Sequence, residues 1–392
     1  MSLPALLGGA PVFEPPTPFM RPTLPGFSEI SGELQEILRT GMVTKGNYLA
    51  DFEKALSRYL GSEHAVGVSS CTSGLMLAYK AAELAGEVIV PSFTFMATVH
   101  PLSWCGLTPV FADVDPDTWN LDPASAEAAI TPSTSGIVAT HVFGNPAGIE
   151  SLERLAARKG TKLLFDAAHG FGSLYQGKPV GKYGLAEVFS CSPTKLLVTG
   201  EGGVVSTNDA EIARRIEVGR EYGNPGNYDT EFPGLNARMQ EFSAILGLHS
   251  LNMLHENAER RNRLVGLYRE GLRDIGGIYF QKIAPGDRCS YKDFSIRVVA
   301  DEFGLSRDML VAALRAEGVD TRNYYDPPVH LHTAYRHLAH LYRGKLPVTE
   351  RLARECVSLP MYSHMDTEVV RRVCEAIRRI QRHSTAVSAA LS

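Results

Sequence analysis

Short apolar runs alternate with helical patterns from about residue 30 to 250. The pattern predicts strands at 65–68, 87–90, 110–114, 137–142, 162–166, 187–192 and 203–207. Between them it predicts helices at 73–84, 94–104, 123–129 and 149–158. Strands of this length, apolar throughout and separated by helices, are buried on both faces. They define an α/β fold with a mostly parallel seven-stranded sheet sandwiched by helices. Residues 239–272 read as one or two long amphipathic helices, rich in Arg and Glu after His255, and serve as a hinge. Beyond lie a strand at 294–299 and helices at 307–317 and 366–382, a smaller α+β C-terminal domain. The predicted organisation is an N-terminal arm (1–29), a large domain (30–250), a small domain (251–383) and a tail (384–392) that frays.

With 392 residues the chain exceeds one ordinary core, which agrees with two domains. At 44% hydrophobic and 21% charged it suits a globular protein. The net charge of −4 comes without a block of like charge, so no nucleic-acid partner is expected. No run of about 18 apolar residues is present, so no membrane span is expected. The Pro-rich stretch 1–25 lacks the basic and apolar regions of a signal peptide. Six cysteines without a Cys-x-x-Cys pair suggest neither a zinc knuckle nor a disulfide framework, and point to a reducing, cytoplasmic setting. The close histidine pairs, His330/His332 and His337/His340, have no carboxylate motif beside them, and no metal site is expected.

The candidate chemistry gathers at predicted strand ends, where ligands collect in such sheets. Asp166 ends the strand at 162–166, and Lys195 follows the next strand and a Ser-Pro-Thr turn, ahead of Gly202-Gly203. A lone lysine is ordinarily a solvated surface residue, and an acid at a strand end is ordinarily a turn or cap. Together they meet the needs of pyridoxal 5′-phosphate (PLP): an amine for a Schiff base, and a carboxylate to keep the pyridine nitrogen protonated. Ser70-Cys71-Thr72-Ser73-Gly74, between a strand and a helix, offers hydroxyls and N–H groups to a phosphate, or simply caps the helix. Ser190 adds a hydroxyl. Phe95 is placed to stack on the ring or to fill core.

The ordered set of motifs resembles the DegT–StrS family of PLP-dependent sugar aminotransferases, of the aspartate aminotransferase fold type I. The segments include Ser70 to Leu75, Pro91-Ser92-Phe93-Thr94-Phe95, His141 to Pro146, Asp166-Ala167-Ala168-His169-Gly170, Ser190 to Lys195, Gly234 to Glu241 and Tyr324 to His330. The match spans roughly 46–380. The resemblance implies that Lys195 forms the Schiff base, that Asp166 pairs with the pyridinium and that His169 lies beside the ring. It implies that Thr72, Ser73 and Ser190 contact the phosphate, that Phe95 stacks, and that Asn236 reaches the phosphate of a neighbouring subunit in a homodimer. His330 falls where the family places a substrate-side residue. Cys71 departs from the family's glycine and His169 from its more frequent glutamine. Relatives with histidine for the Schiff-base lysine are sugar dehydratases; Lys195 is retained here, which argues for amino transfer.

The expected function is transfer of an amino group from L-glutamate to a nucleotide-linked keto-deoxysugar of the dTDP-4-keto-6-deoxyglucose type. Two alternatives stand beside it. One is a keto-cyclitol aminotransferase of aminoglycoside synthesis. The other is a non-catalytic PLP-binding sensor, against which the complete set of site residues speaks.

Overall fold

The computed structural model describes residues 3–391. Helices α1 (Phe27–Thr40) and α2 (Asn47–Leu60) lead into β1 (His64–Val68) and α3 (Cys71–Ala81). There follow β2 (Glu87–Pro91), α4 (His100–Trp104), β3 (Thr108–Ala112), α5 (Pro123–Ala128), β4 (Thr134–Thr140), α6 (Ile149–Lys159) and β5 (Lys162–Asp166). A small hairpin, β6 (Leu174–Tyr175) and β7 (Lys178–Pro179), precedes β8 (Ala186–Ser190), β9 (Gly203–Thr207) and α7 (Ala210–Gly219).

The seven-stranded sheet has the order β1-β9-β8-β5-β4-β2-β3. Only β9 runs antiparallel to its neighbours β1 and β8; the other pairs are parallel. Alternate residues of a strand point to opposite faces, so a strand buried on both sides feeds two cores. Ile89, Ile137, Phe165 and Val204 enter one core, and Val88, Val90, Val138, Leu164 and Val205 the other. This is why the strands read as continuous apolar runs. The stretch expected as one helix at 94–104 is a 3-10 turn (Met96–Thr98) followed by α4. Pro101 lies in the first turn of α4, where its missing N–H costs no hydrogen bond.

Helix α8 (Glu241–Leu272) is a single 32-residue helix, about 48 Å long at 1.5 Å per residue. Its Ala244, Leu254 and Ala258 pack in the large core, and Leu264, Val265, Tyr268 and Leu272 in a second core. The boundary read at 250/251 therefore falls within a helix that serves both cores.

The second core belongs to a three-stranded antiparallel sheet and its helices. These are β10 (Ile278–Phe280), β11 (Phe294–Val298), α9 (Ala300–Phe303), α10 (Arg307–Ala316), α11 (Pro347–Glu355), β12 (Cys356–Leu359) and α12 (Thr367–Arg382). The N-terminal arm is fastened to this domain. Phe13 enters its core, and the buried carboxylate of Glu317 accepts from the backbone N–H groups of Ala5 (3.0 Å) and Val12 (3.1 Å). The tail is not frayed over its described residues. It forms α13 (Ser384–Leu391), held by the fully buried Val387.

Candidate active site

The ends of β5 and β8, the start of α3 and a turn ahead of β11 converge on a cavity of about 310 Å³. Of the expected residues, Thr72, Phe95, Asp166, His169, Ser190 and Lys195 line it. The small domain contributes Lys292, Asp293, Tyr324 and Tyr325.

Lys195 lies in the β8–β9 loop, which folds on itself through backbone bonds from Cys191 to Gly202, Lys195 to Ser192 and Thr199 to Cys191, at 2.9–3.0 Å. Among the described residues nothing accepts a hydrogen bond from its Nζ. Burial lowers its pKa to about 8, with the charge of Lys292 adding to the effect and Asp293, Cys71 and Asp166 opposing it. An amine so placed can exchange protons near neutrality.

Asp166 is buried at the end of β5. Its Oδ2 accepts from Thr98 Oγ1 at 2.6 Å and its Oδ1 from the Ala168 N–H at 3.0 Å. Burial raises its pKa, while the bonds from Thr98 and Ala168 and the charge of Lys195 oppose the rise. No ion-pair partner meets it among the described residues. A buried, oriented carboxylate without a cation fits a protonated pyridine nitrogen. His169 lies nearby with its ring parallel to Phe143, at 12° and 6.4 Å between centroids. Burial, then the charges of Lys195 and Lys292, hold its pKa well below the usual value, so the imidazole is neutral.

The phosphate end is built on α3. Ser70 Oγ caps the helix by accepting from the Ser73 N–H at 3.1 Å. Thr72, in the first turn, exposes its hydroxyl to the cavity, and Ser190 faces it from β8. Ser73 is elsewhere engaged. Its Oγ bonds the Ser70 N–H (3.1 Å) and carbonyl (2.9 Å), completing the cap, and it does not line the cavity. Two hydroxyls and a helix N-terminus make a site suited to a phosphate dianion. The donor set therefore fits PLP at both ends.

Two expected residues lie apart. Asn236 is exposed, on a bridge with Glu221, and does not line this cavity. His330, expected on the substrate side, does not line this cavity either. Its ring is buried, with Nδ1 2.7 Å from Ser92 Oγ and Nε2 3.7 Å from Glu350, and it packs against Phe111. Burial lowers its pKa.

Sequence reasoning missed Thr98, Lys292 and Asp293, and gave Tyr324 and Tyr325 no role. The signal available was an adjacent Lys-Asp pair opening an apolar strand. Opposite charges side by side in a stretch that must be buried call for a reason.

A parallel sheet with a lysine and an acid at neighbouring strand ends, over a helix N-terminus, defines a fold type I PLP-dependent transferase. Residues 27–378 match the DegT/DnrJ/EryC1/StrS aminotransferase family, and the chain belongs to that family. It is a PLP-dependent aminotransferase. The solved structure of DesI in the presence of its TDP-sugar product is similar at TM-score 0.91 and 37% identity, covering 98% of each chain. The dTDP-3-amino-3,4,6-trideoxy-alpha-D-glucose transaminase of Streptomyces venezuelae is 35% identical, over 90% of this chain and 92% of that protein. The spore coat polysaccharide biosynthesis protein SpsC of Bacillus subtilis strain 168 is 33% identical, over 93% and 96%. Among the described residues no helix is long and apolar enough to cross a membrane, and no cluster suits a metal ion. The six cysteines are free.

Proposed function

We propose that the protein transfers an amino group from an amino-acid donor, L-glutamate, to a nucleotide-linked keto-deoxysugar of the dTDP-4-keto-6-deoxyglucose type. The observation that carries this reading is the chain-long likeness to DesI, solved in the presence of its TDP-sugar product. A second cavity of about 820 Å³ supports it. This cavity shares the walls Phe95, Tyr324 and Tyr325 with the inner one and is lined also by Met96, His100, Arg322 and His332. Its size suits a nucleotide, and remote binding there would hold the keto carbon in place for attack.

When bound, PLP supplies an electron sink for a carbanion at the carbon bearing the nitrogen. Lys195 Nζ would anchor the cofactor and, as a free amine, would take the proton from the donor's α carbon. In the second half of the cycle the same amine returns a proton to the sugar carbon that receives the nitrogen. Asp166 holds the proton on the ring nitrogen, and Thr98 and the Ala168 N–H hold Asp166. Thr72, Ser190 and the start of α3 bind the phosphate, and Phe95 and His169 flank the ring. Asn236 is assigned to the phosphate of a partner subunit, in a homodimer with shared sites.

The test is a single half-reaction. Protein converted to its pyridoxamine form should regain the PLP spectrum on addition of dTDP-4-keto-6-deoxyglucose, with a new amine at C4 of the product. A much faster reaction with a 3-keto sugar would move amination to C3. Reaction with free keto-cyclitols alone would reject the nucleotide sugar.

A further inference from the structure

Lys292 and Asp293 are adjacent, just ahead of β11, and their side chains are only 6% and 3% exposed. Lys292 Nζ lies 2.9 and 3.0 Å from the two oxygens of Asp293. It also lies 5.5 Å from the centre of the Tyr324 ring. The turn that carries the pair is tied to neighbouring segments by hydrogen bonds. The Lys292 N–H donates to the Phe143 carbonyl at 3.0 Å. The buried guanidinium of Arg261 donates to the carbonyls of Tyr291 (3.0 Å) and Lys292 (2.9 Å). Both side chains line the inner cavity with Lys195.

An ion pair removed from water contributes little or nothing to stability against an apolar alternative. This one sits on a fixed turn at a cavity wall, and the transfer chemistry above gives it no task. Its bonding capacity is not exhausted. An ammonium has three donors and a carboxylate about four acceptor sites, so the pair retains at least one N–H and lone pairs on each oxygen. The pair is neutral overall. An incoming carboxylate would meet the charge of Asp293 as well as that of Lys292. A hydroxyl, which accepts and donates at once, satisfies both. The Tyr324 ring beside Nζ offers an apolar face to the C–H groups of a sugar ring. Both side chains share the cavity of about 310 Å³ with Lys195, so a hydroxyl in the pair's reach lies in the cavity that takes the reacting carbon.

We propose that Lys292 and Asp293 recognise the hydroxyl adjacent to the carbonyl of the sugar acceptor. Lys292 donates to the hydroxyl oxygen, and the hydroxyl O–H donates a hydrogen bond to Asp293. The pair is then a specificity determinant of the acceptor half-reaction, an inference that rests on the keto-sugar reading above.

The experiment uses the pyridoxamine form with dTDP-4-keto-6-deoxyglucose and its 3-deoxy and 3-deoxy-3-fluoro analogues. Neither analogue can donate a proton to Asp293. Wild-type protein should discriminate against both by about a hundredfold or more in kcat/KM, since without the hydroxyl the remaining N–H of Lys292 and the free lone pairs of Asp293 are shut off from water with nothing to bond. The double variant Lys292→Met/Asp293→Leu removes both charges together and leaves neither buried alone. In it the ratio among the three sugars should collapse towards one, whatever the absolute rate. Should that double variant fail to fold, Lys292→Leu/Asp293→Ala, which also removes both charges together and retains no acceptor, is read for the same ratio. Equal handling of the three sugars by wild type, or an unchanged ratio in the variant, overturns the proposal. Wild-type protein that ignores all three sugars yet reacts with free keto-cyclitols overturns the acceptor class, and the proposal with it.

Discussion

At the scale of single residues the site works by controlled desolvation. Lys195 loses water and feels Lys292, which brings its pKa to about 8 from the ordinary lysine value of 10.5. A lowered pKa means that the proton leaves earlier as pH rises. In cofactor-free protein, labelling of Lys195 by an amine-directed reagent should therefore rise through pH 8, while surface lysines follow only at higher pH. Peptide mapping across a pH series reads this directly. Labelling of Lys195 that tracks the surface lysines would refute it. Asp166 faces the opposite problem, because burial raises its pKa. Thr98 and the Ala168 N–H work against that, and a ring N–H⁺ completes the set. Asp166→Ala should lower transamination by about two to four orders of magnitude, by analogy with losing a proton-handling group. A near-normal rate with saturating PLP would reduce Asp166 to a turn residue. Both residues were legible in the sequence because strand ends can be read from apolar runs. Thr98 was not legible, because a threonine in a helical stretch carries no mark of the carboxylate it will meet.

At the scale of elements, helix ends do much of the positioning. The entrance of α2 is held by Glu241, the first residue of α8 and almost fully buried. Its Oε1 accepts from the N–H groups of Gly46 (3.0 Å) and Leu49 (3.1 Å), and its Oε2 from that of Tyr48 (2.9 Å). A carboxylate here answers orphan donors and the helix dipole together. It also explains Gly46, where a Cβ would lie 2.6 Å from Glu241 Oε2. Glu241→Ala should destabilise the protein by about 1–3 kcal/mol, since it takes the acceptor from three backbone donors, that of Leu49 buried and those of Gly46 and Tyr48 partly buried. Denaturant unfolding measures the loss, and a change within 0.5 kcal/mol, the ordinary range for an unremarkable surface position, would deny Glu241 this role. The seven strands could be read from the chain because their burial on both faces imposes an uninterrupted apolar run. Helices α1, α2 and α7 were not separately drawn. Their apolar residues occupy one stripe among many charges, a weaker signal than a buried strand.

At the scale of the whole molecule, α8 joins two cores and the small domain closes the inner cavity with Lys292, Asp293, Tyr324 and Tyr325. Asn236 stands outside that cavity and exposed, as a group assigned to a partner subunit would. Mixing Lys195→Ala with Asn236→Ala subunits should recover about a quarter of wild-type activity. Half of the randomly formed dimers are then mixed, and each of these has one intact site. A fully active monomer, or no recovery despite proven subunit exchange, would contradict the shared site. The sequence by itself determined the sheet and the cofactor, and singled out a lysine and an acid that the fold brings to one cavity. Each depends on local pattern: apolar period, strand ends, and hydroxyls before a helix. Only the tertiary structure decided that Ser73 serves the cap, that His330 is enclosed beside Ser92, and that a Lys-Asp pair far along the chain lines one cavity with Lys195. Those outcomes depend on which surfaces of distant segments meet, and packing between elements leaves no periodic trace in either segment alone.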